Sequence, residues 1–168
     1  GNVYLAGKCW ASYLALEQIF GQLEEVEAAA SARAGAVRCA ESLEAAYDES
    51  LGFIPAVLEN NNQSAIIPAA EALVYPWQMG LKDAVDEEGP FGGYIRMLKR
   101  HLQNILNPEM CLYEDGGWKL SSSADNSWMS KISISQFVVR EILGMSYEGE
   151  ERADAAHVSW QVKGSEFY

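Results

Sequence analysis

A chain of 168 residues, 49% of them hydrophobic, fits one domain with a real core and is too apolar to be disordered. Its formal net charge of −12 at pH 7 argues against nucleic acid or an anionic membrane as partner, since both are recognised by clustered Lys and Arg. No apolar run reaches the roughly 18 residues of a membrane span. The three cysteines, Cys9, Cys39 and Cys111, match neither a disulfide framework nor a zinc pattern, so reduced thiols in a cytoplasmic setting are expected.

Residues 2–22 read as a helix, with Leu5, Cys9, Leu16, Ile19, Phe20 and Leu23 at helical spacing and Ser12 or Tyr13 filling the stripe. Gly21 loosens its end. Residues 23–49 are rich in Ala and Glu and read as a second helix. Its thin stripe (Val26, Ala30, Ala34, Val37, Ala40, Leu43, Tyr47) lets a neighbour approach closely, so the two form an antiparallel hairpin. Leu51 to Pro55 breaks the pattern, and Asn60-Asn61-Asn62 is a turn.

Ile66 to Leu81 is apolar and helical in part. Pro68 suits a first helical turn, and Pro76 ends or kinks the helix. Residues 93–107 form an amphipathic helix, with Tyr94, Leu98, Leu102 and Ile105 on one face and Arg96, Lys99, Arg100 and Gln103 on the other. Cys111 to Tyr113 and Trp118 to Leu120 flank a glycine turn and read as a short β-hairpin. Residues 127–143 are apolar nearly all round, which marks a buried helix, with Asp125 or Ser127 as its cap. Residues 150–160 make one more short helix, and the last eight residues carry no signal. The fold class is therefore all-α: helical hairpins amounting to about half of an (α/α)6 toroid, with short β-hairpins in the long loops. Half a ring leaves its inner wall uncovered, and the chain opens on Gly1-Asn2 inside a helical pattern. Both point to a piece of something longer, or to a chain that needs a partner.

The loop from Asp115 to Lys131 carries the chemistry. Trp118 and Trp128 bracket turn formers and hydroxyls. Their indoles are either core anchors or flat platforms for a sugar ring, whose hydroxyls Lys119 and Asn126 can reach. A glycosidase needs two facing carboxyls. Most acids here lie in solvated runs such as Glu24 to Glu27 and Asp86 to Glu88; Glu71, among apolar neighbours, does not. It is either a buried structural acceptor or a ligand contact. Lys131 opens an apolar helix, so it either snorkels or points into a polar cavity. His101 is expected to be partly exposed and structural, and His157 to pack in a helix. No metal motif, nucleophile elbow, P-loop or dinucleotide fingerprint occurs.

Several runs resemble glycoside hydrolase family 52, in its C-terminal half. They are Asn2 to Ala11, Phe53 to Val57, Ile66 to Pro76, Cys111 to Lys119, Asn126 to Lys131 and Arg152 to Val158. The resemblance covers nearly the whole chain in order. It implies a retaining β-xylosidase acting on xylo-oligosaccharides, with a β-sandwich followed by an (α/α)6 barrel. It also implies an intracellular protein with no metal or organic cofactor. Both catalytic carboxyls of the family, a Glu nucleophile and an Asp acid/base, fall before Gly1, and no residue here matches either. The stretch from Gln161 to Tyr168 departs from the family's Trp-rich ending.

The expected function is thus part of a β-xylosidase, inactive in isolation, completed by the remainder of the same barrel or a partner chain. Glu71, Trp118, Lys119, Asn126, Trp128 and Lys131 are the expected substrate contacts, and no residue of the chain is expected to be catalytic. The competing reading is a non-catalytic α-helical interaction module on a hydrolase-like scaffold.

Overall fold

Asn2 caps the first helix, accepting a hydrogen bond from the Leu5 backbone N–H at 3.2 Å. The computed structural model describes residues 1–163. Six α-helices occur among them: α1 Val3–Gln22, α2 Val26–Ala45, α3 Val74–Gln78, α4 Gly92–Ile105, α5 Met129–Phe137 and α6 Glu150–Lys163. No strand forms among the described residues; extended segments meet only in isolated bridges. No described helix is long and apolar enough to cross a membrane. Residues 164–168, within the stretch where no element is expected, lie outside the described part.

The α1–α2 hairpin forms as expected, but α1 is rotated about its axis. Its buried face is Val3, Gly7, Trp10, Ala11 and Leu14. Leu5, Leu16, Ile19 and Leu23 point outward, as does Val26 at the start of α2. The largest ring decides the rotation: Trp10 is fully buried, edge-on to Phe91 and Tyr94 with ring centroids 5.4 and 5.3 Å away. On α2 the buried face is Ala32, Gly35, Ala36, Ala40 and Leu43. Gly35 fits against the Tyr13 ring, where a Cβ would sit only 2.7 Å from the ring carbons. Small residues here let the two helices close up.

Ile67–Leu73 forms a 3₁₀ helix with Pro68 in its first turn and runs into α3. Pro76 lies inside α3 and neither ends nor breaks it, because a first-turn proline lacks only an N–H that has no intrahelical acceptor. Gly80 ends α3 instead: with φ at 80° it lets Gly80 N–H reach Trp77 O at 3.1 Å and Leu81 N–H reach Pro76 O at 2.9 Å. The amphipathic reading of α4 holds, with Tyr94, Leu98, Leu102 and Ile105 buried. His101 departs from expectation. It is fully buried, with Nε2 2.9 Å from Ile66 O and Nδ1 accepting the Ile54 N–H at 3.4 Å. Two extended segments place backbone groups on it, and the ring satisfies both.

The 111–120 hairpin is present but too short for strands. Leu112 bridges Trp118, and Tyr113 N–H reaches Gly117 O at 2.8 Å. Trp128 occupies the cap position of α5, and neither Asp125 nor Ser127 caps it. Past Phe137 the helix loosens into a π turn, Val138–Ile142. Ile132, Val138 and Val139 are buried, whereas Ile134, Phe137 and Ile142 are only partly covered.

Candidate functional site

Three elements that are remote in sequence meet at Glu71. On α1, Tyr4 and Lys8 stand four residues apart and share a face. Glu71 projects from the 3₁₀ helix, and Tyr75 stands four residues further on, in α3. Lys131 comes from the first turn of α5. Packing of α1 and α5 on either side of the 3₁₀ helix brings the side chains together.

Glu71 is 1% exposed and accepts from every side. Lys131 Nζ lies 2.9 Å from Oε1 and 2.8 Å from Oε2. Lys8 Nζ lies 2.8 Å from Oε1, and the Tyr4 hydroxyl donates to Oε1 at 3.2 Å. Lys131 also donates to the Tyr4 oxygen at 2.6 Å, and Lys8 to the Tyr75 oxygen. The ammonium groups lie over rings as well: Lys8 is 4.8 Å from the Tyr4 centroid and 4.7 Å from that of Tyr75, and Lys131 is 4.9 Å from Tyr4.

Burial alone would raise the pKa of Glu71, but hydrogen bonds from Lys131 and Lys8 outweigh it and hold the carboxyl below its ordinary value. Burial would likewise lower Lys8 and Lys131, yet their bonds to Glu71 and the tyrosines raise both. All three groups are therefore charged at neutral pH. A carboxylate so held cannot act as a general acid.

All three N–H bonds of Lys131 are spent on Glu71 and Tyr4. Lys8 is engaged by Glu71, Tyr75 and Tyr4, on a side chain 28% exposed. The Tyr75 oxygen, already an acceptor, keeps its own O–H to give. The cluster thus keeps one exposed donor, at Tyr75, and carries one net positive charge in a strongly acidic chain. Beside it runs a groove of about 310 Å³, floored by Ala11, Ala15 and Met79 and edged by Lys8, Tyr75 and Gln78.

The other expected contacts fall in three places. Trp128 is 61% exposed and stands one helical turn before Lys131. Lys119 is half-buried, 3.9 Å from Asp125 and over the Tyr113 ring. Asn126 is exposed, with its carbonyl accepting from Leu120 N–H at 2.7 Å. Trp118 is fully buried. Its indole N–H donates to the Tyr147 hydroxyl at 2.6 Å, and its backbone N–H to His157 Nε2 at 2.9 Å. The His157 ring lies tilted against Trp160, centroids 5.0 Å apart, and the Trp160 indole donates to Asp115 at 2.8 Å. Gly117 leaves room for the Trp160 ring, so the glycine turn is clamped against α6.

The structure thus joins Glu71 to Lys131, keeps Trp128 close by, and turns Trp118 inward. Tyr4, Lys8 and Tyr75 escaped the sequence reading. Two spacings of four, Tyr4 to Lys8 and Glu71 to Tyr75, were the available signal.

No protein-family model matches the chain. Over 160 residues, 95% of its length, the chain is 48% identical to a β-xylosidase of Geobacillus stearothermophilus and spans 23% of that protein. It is therefore homologous to one segment of a larger β-xylosidase.

Proposed function

We propose that this chain is part of a retaining β-xylosidase of the glycoside hydrolase family 52 type. Its helical hairpins would form part of an (α/α)6 barrel wall, with the Lys8–Glu71–Lys131 cluster turned toward a xylo-oligosaccharide. The 48% identity with the Geobacillus β-xylosidase carries this reading. Further support comes from Leu5, Leu16, Ile19, Leu23 and Val26, an exposed apolar row of the kind that a neighbouring helix of the same barrel would cover. The parent enzyme is taken to be cytoplasmic.

Retaining hydrolysis needs a carboxylate that attacks the anomeric carbon and an acid, about 5–5.5 Å away, that protonates the leaving oxygen. Water then releases the sugar. Glu71 is held ionised with both oxygens engaged by lysine; as the family resemblance implies, both catalytic groups would come from sequence upstream of Gly1. Within this segment, Tyr75 would donate to sugar or carboxylate oxygens. Lys131 would fix Glu71 in place, and Trp128 would offer its indole face to a pyranose. Lys119 and Asn126 would reach rim hydroxyls, and Trp118 would shape the wall from within.

An aryl-xyloside assay tests this. The purified 168-residue chain should show no turnover above background. Fused to the upstream part of a β-xylosidase of this type it should be active, and Glu71→Gln should lower kcat/KM at least tenfold. Turnover by the isolated chain that is lost in Glu71→Gln would place the catalytic pair here and overturn the assignment.

A further inference from the structure

The seam between α1 and α2 fixes which residues of the two helices face one another. Tyr13 lies against Gly35. In an antiparallel pair, one turn back along α1 matches one turn forward along α2. One turn back from Tyr13 is Cys9, and one turn forward from Gly35 is Cys39. On the opposite side of that contact, Glu17 and Arg33 pair at 3.6 Å. The groove along the seam is lined by Ala6, Tyr13, Gly35, Cys39 and Ser42, in the same register. Cys9 is exposed and Cys39 partly so, while Cys111 is buried.

We propose that Cys9 and Cys39 are an oxidisable dithiol that closes into a disulfide across the α1–α2 hairpin when the protein meets a small disulfide such as oxidised glutathione. The Cys39 thiol is raised in pKa by burial first and by the nearby Cys9 second, with Arg38 opposing. That ordering fits two thiols on one seam, with the exposed Cys9 reacting first.

The exchange balances without any other reagent. The Cys9 thiolate attacks one sulfur of glutathione disulfide, and the S–S bond breaks. One glutathione leaves with the electron pair and takes up a proton. The Cys39 thiolate then attacks the Cys9 sulfur of the mixed disulfide, and the second glutathione leaves in the same way. The protein loses two protons and two electrons, and one glutathione disulfide becomes two glutathiones. A disulfide requires a short Cα separation, and the small residues Gly35 and Ala36 on the buried face of α2 favour close approach of the two helices.

The test is peptide mapping of the full chain after incubation with oxidised glutathione and alkylation of remaining thiols. Trypsin, cutting after Lys8, Arg33 and Arg38, puts the two cysteines on separate peptides. A reducible cross-link between those peptides in monomeric protein, with Cys111 alkylated only after unfolding, is the expected result. In Cys39→Ser, Cys9 should stop at the mixed disulfide. Wild-type protein that also stops there, or a cross-link found only between two molecules, overturns the proposal.

Discussion

Lys131 Nζ sits between the two oxygens of Glu71, 2.9 and 2.8 Å away, although the residues are 60 apart in sequence. The contact ties α5 to the 3₁₀ helix, and Lys8 ties the same carboxylate to α1. One buried acid thus joins three elements.

Removing that acid should leave two ammonium groups facing each other. Glu71→Gln is expected to destabilise the fold by about 1–3 kcal/mol. This is less than the loss at a fully buried pair, because the lysines remain about a quarter exposed to water. Lys131→Met should be comparable alone, and the double variant should cost less than the sum of the two. Urea unfolding of the four proteins measures this, and strict additivity would refute the coupling.

Acid should weaken the protein in two stages. Burial lowers His101 to about 4, whereas the unfolded imidazole titrates near about 6.5. Between those values the unfolded chain binds a proton that the folded chain does not, so stability falls as pH drops. The loss is on the order of 3 kcal/mol. Glu71, depressed in the folded state, stabilises above its unfolded value of about 4.3, and that contribution is lost as pH falls through its folded value. Unfolding free energy measured from pH 8 to 3 should start to decline near the histidine range and go on declining below about pH 4.3 as Glu71 is protonated. In His101→Gln the first limb should flatten; an unchanged profile would remove His101 from the account.

The two loop tryptophans should behave oppositely. Trp118→Ala removes a fully buried ring and its bond to Tyr147, and should cost about 3–5 kcal/mol in thermal or urea unfolding. Trp128→Ala should change stability by less than about 0.5 kcal/mol, while raising KM for a xyloside several-fold in the completed enzyme. Equal stability losses at both positions would show that Trp128 is also a core anchor.

Two glycines of the hairpin should differ in sign. Nothing lies within 4 Å of a Cβ added at Gly21, inside α1, so Gly21→Ala should stabilise by about 0.5–1 kcal/mol. At Gly35 the Tyr13 ring occupies the space, so Gly35→Val should push the helices apart and cost about 1–3 kcal/mol. Circular-dichroism melts of both variants provide the comparison, and stabilisation by Gly35→Val would contradict the close seam.

Much of the helical framework was legible because helix formation is a local property. The Ala-rich run expected as a helix over 23–49 forms the shorter α2, and the amphipathic period of α4 points to a helix at almost the observed bounds. Glu71 stood out for the same reason, as one charge in an apolar run. The rotation of α1 was not legible. Leu5 and Leu16 mark one face and Trp10 with Leu14 another, and only the aromatic pocket of Phe91 and Tyr94 on distant elements selects between them. His101 fits the same pattern, because its acceptor and donor, Ile66 O and Ile54 N–H, belong to other segments.

What the sequence determined by itself was the helices, the hairpin at the start and the two unusual charges at Glu71 and Lys131. The tertiary structure alone decided that these charges meet, that Tyr4, Lys8 and Tyr75 complete their shell, and that Trp118 turns inward while Trp128 turns out. Helix propensity acts over one or two turns. A buried carboxylate is satisfied only by donors that packing delivers from elsewhere, and no spacing along the chain records which donors arrive.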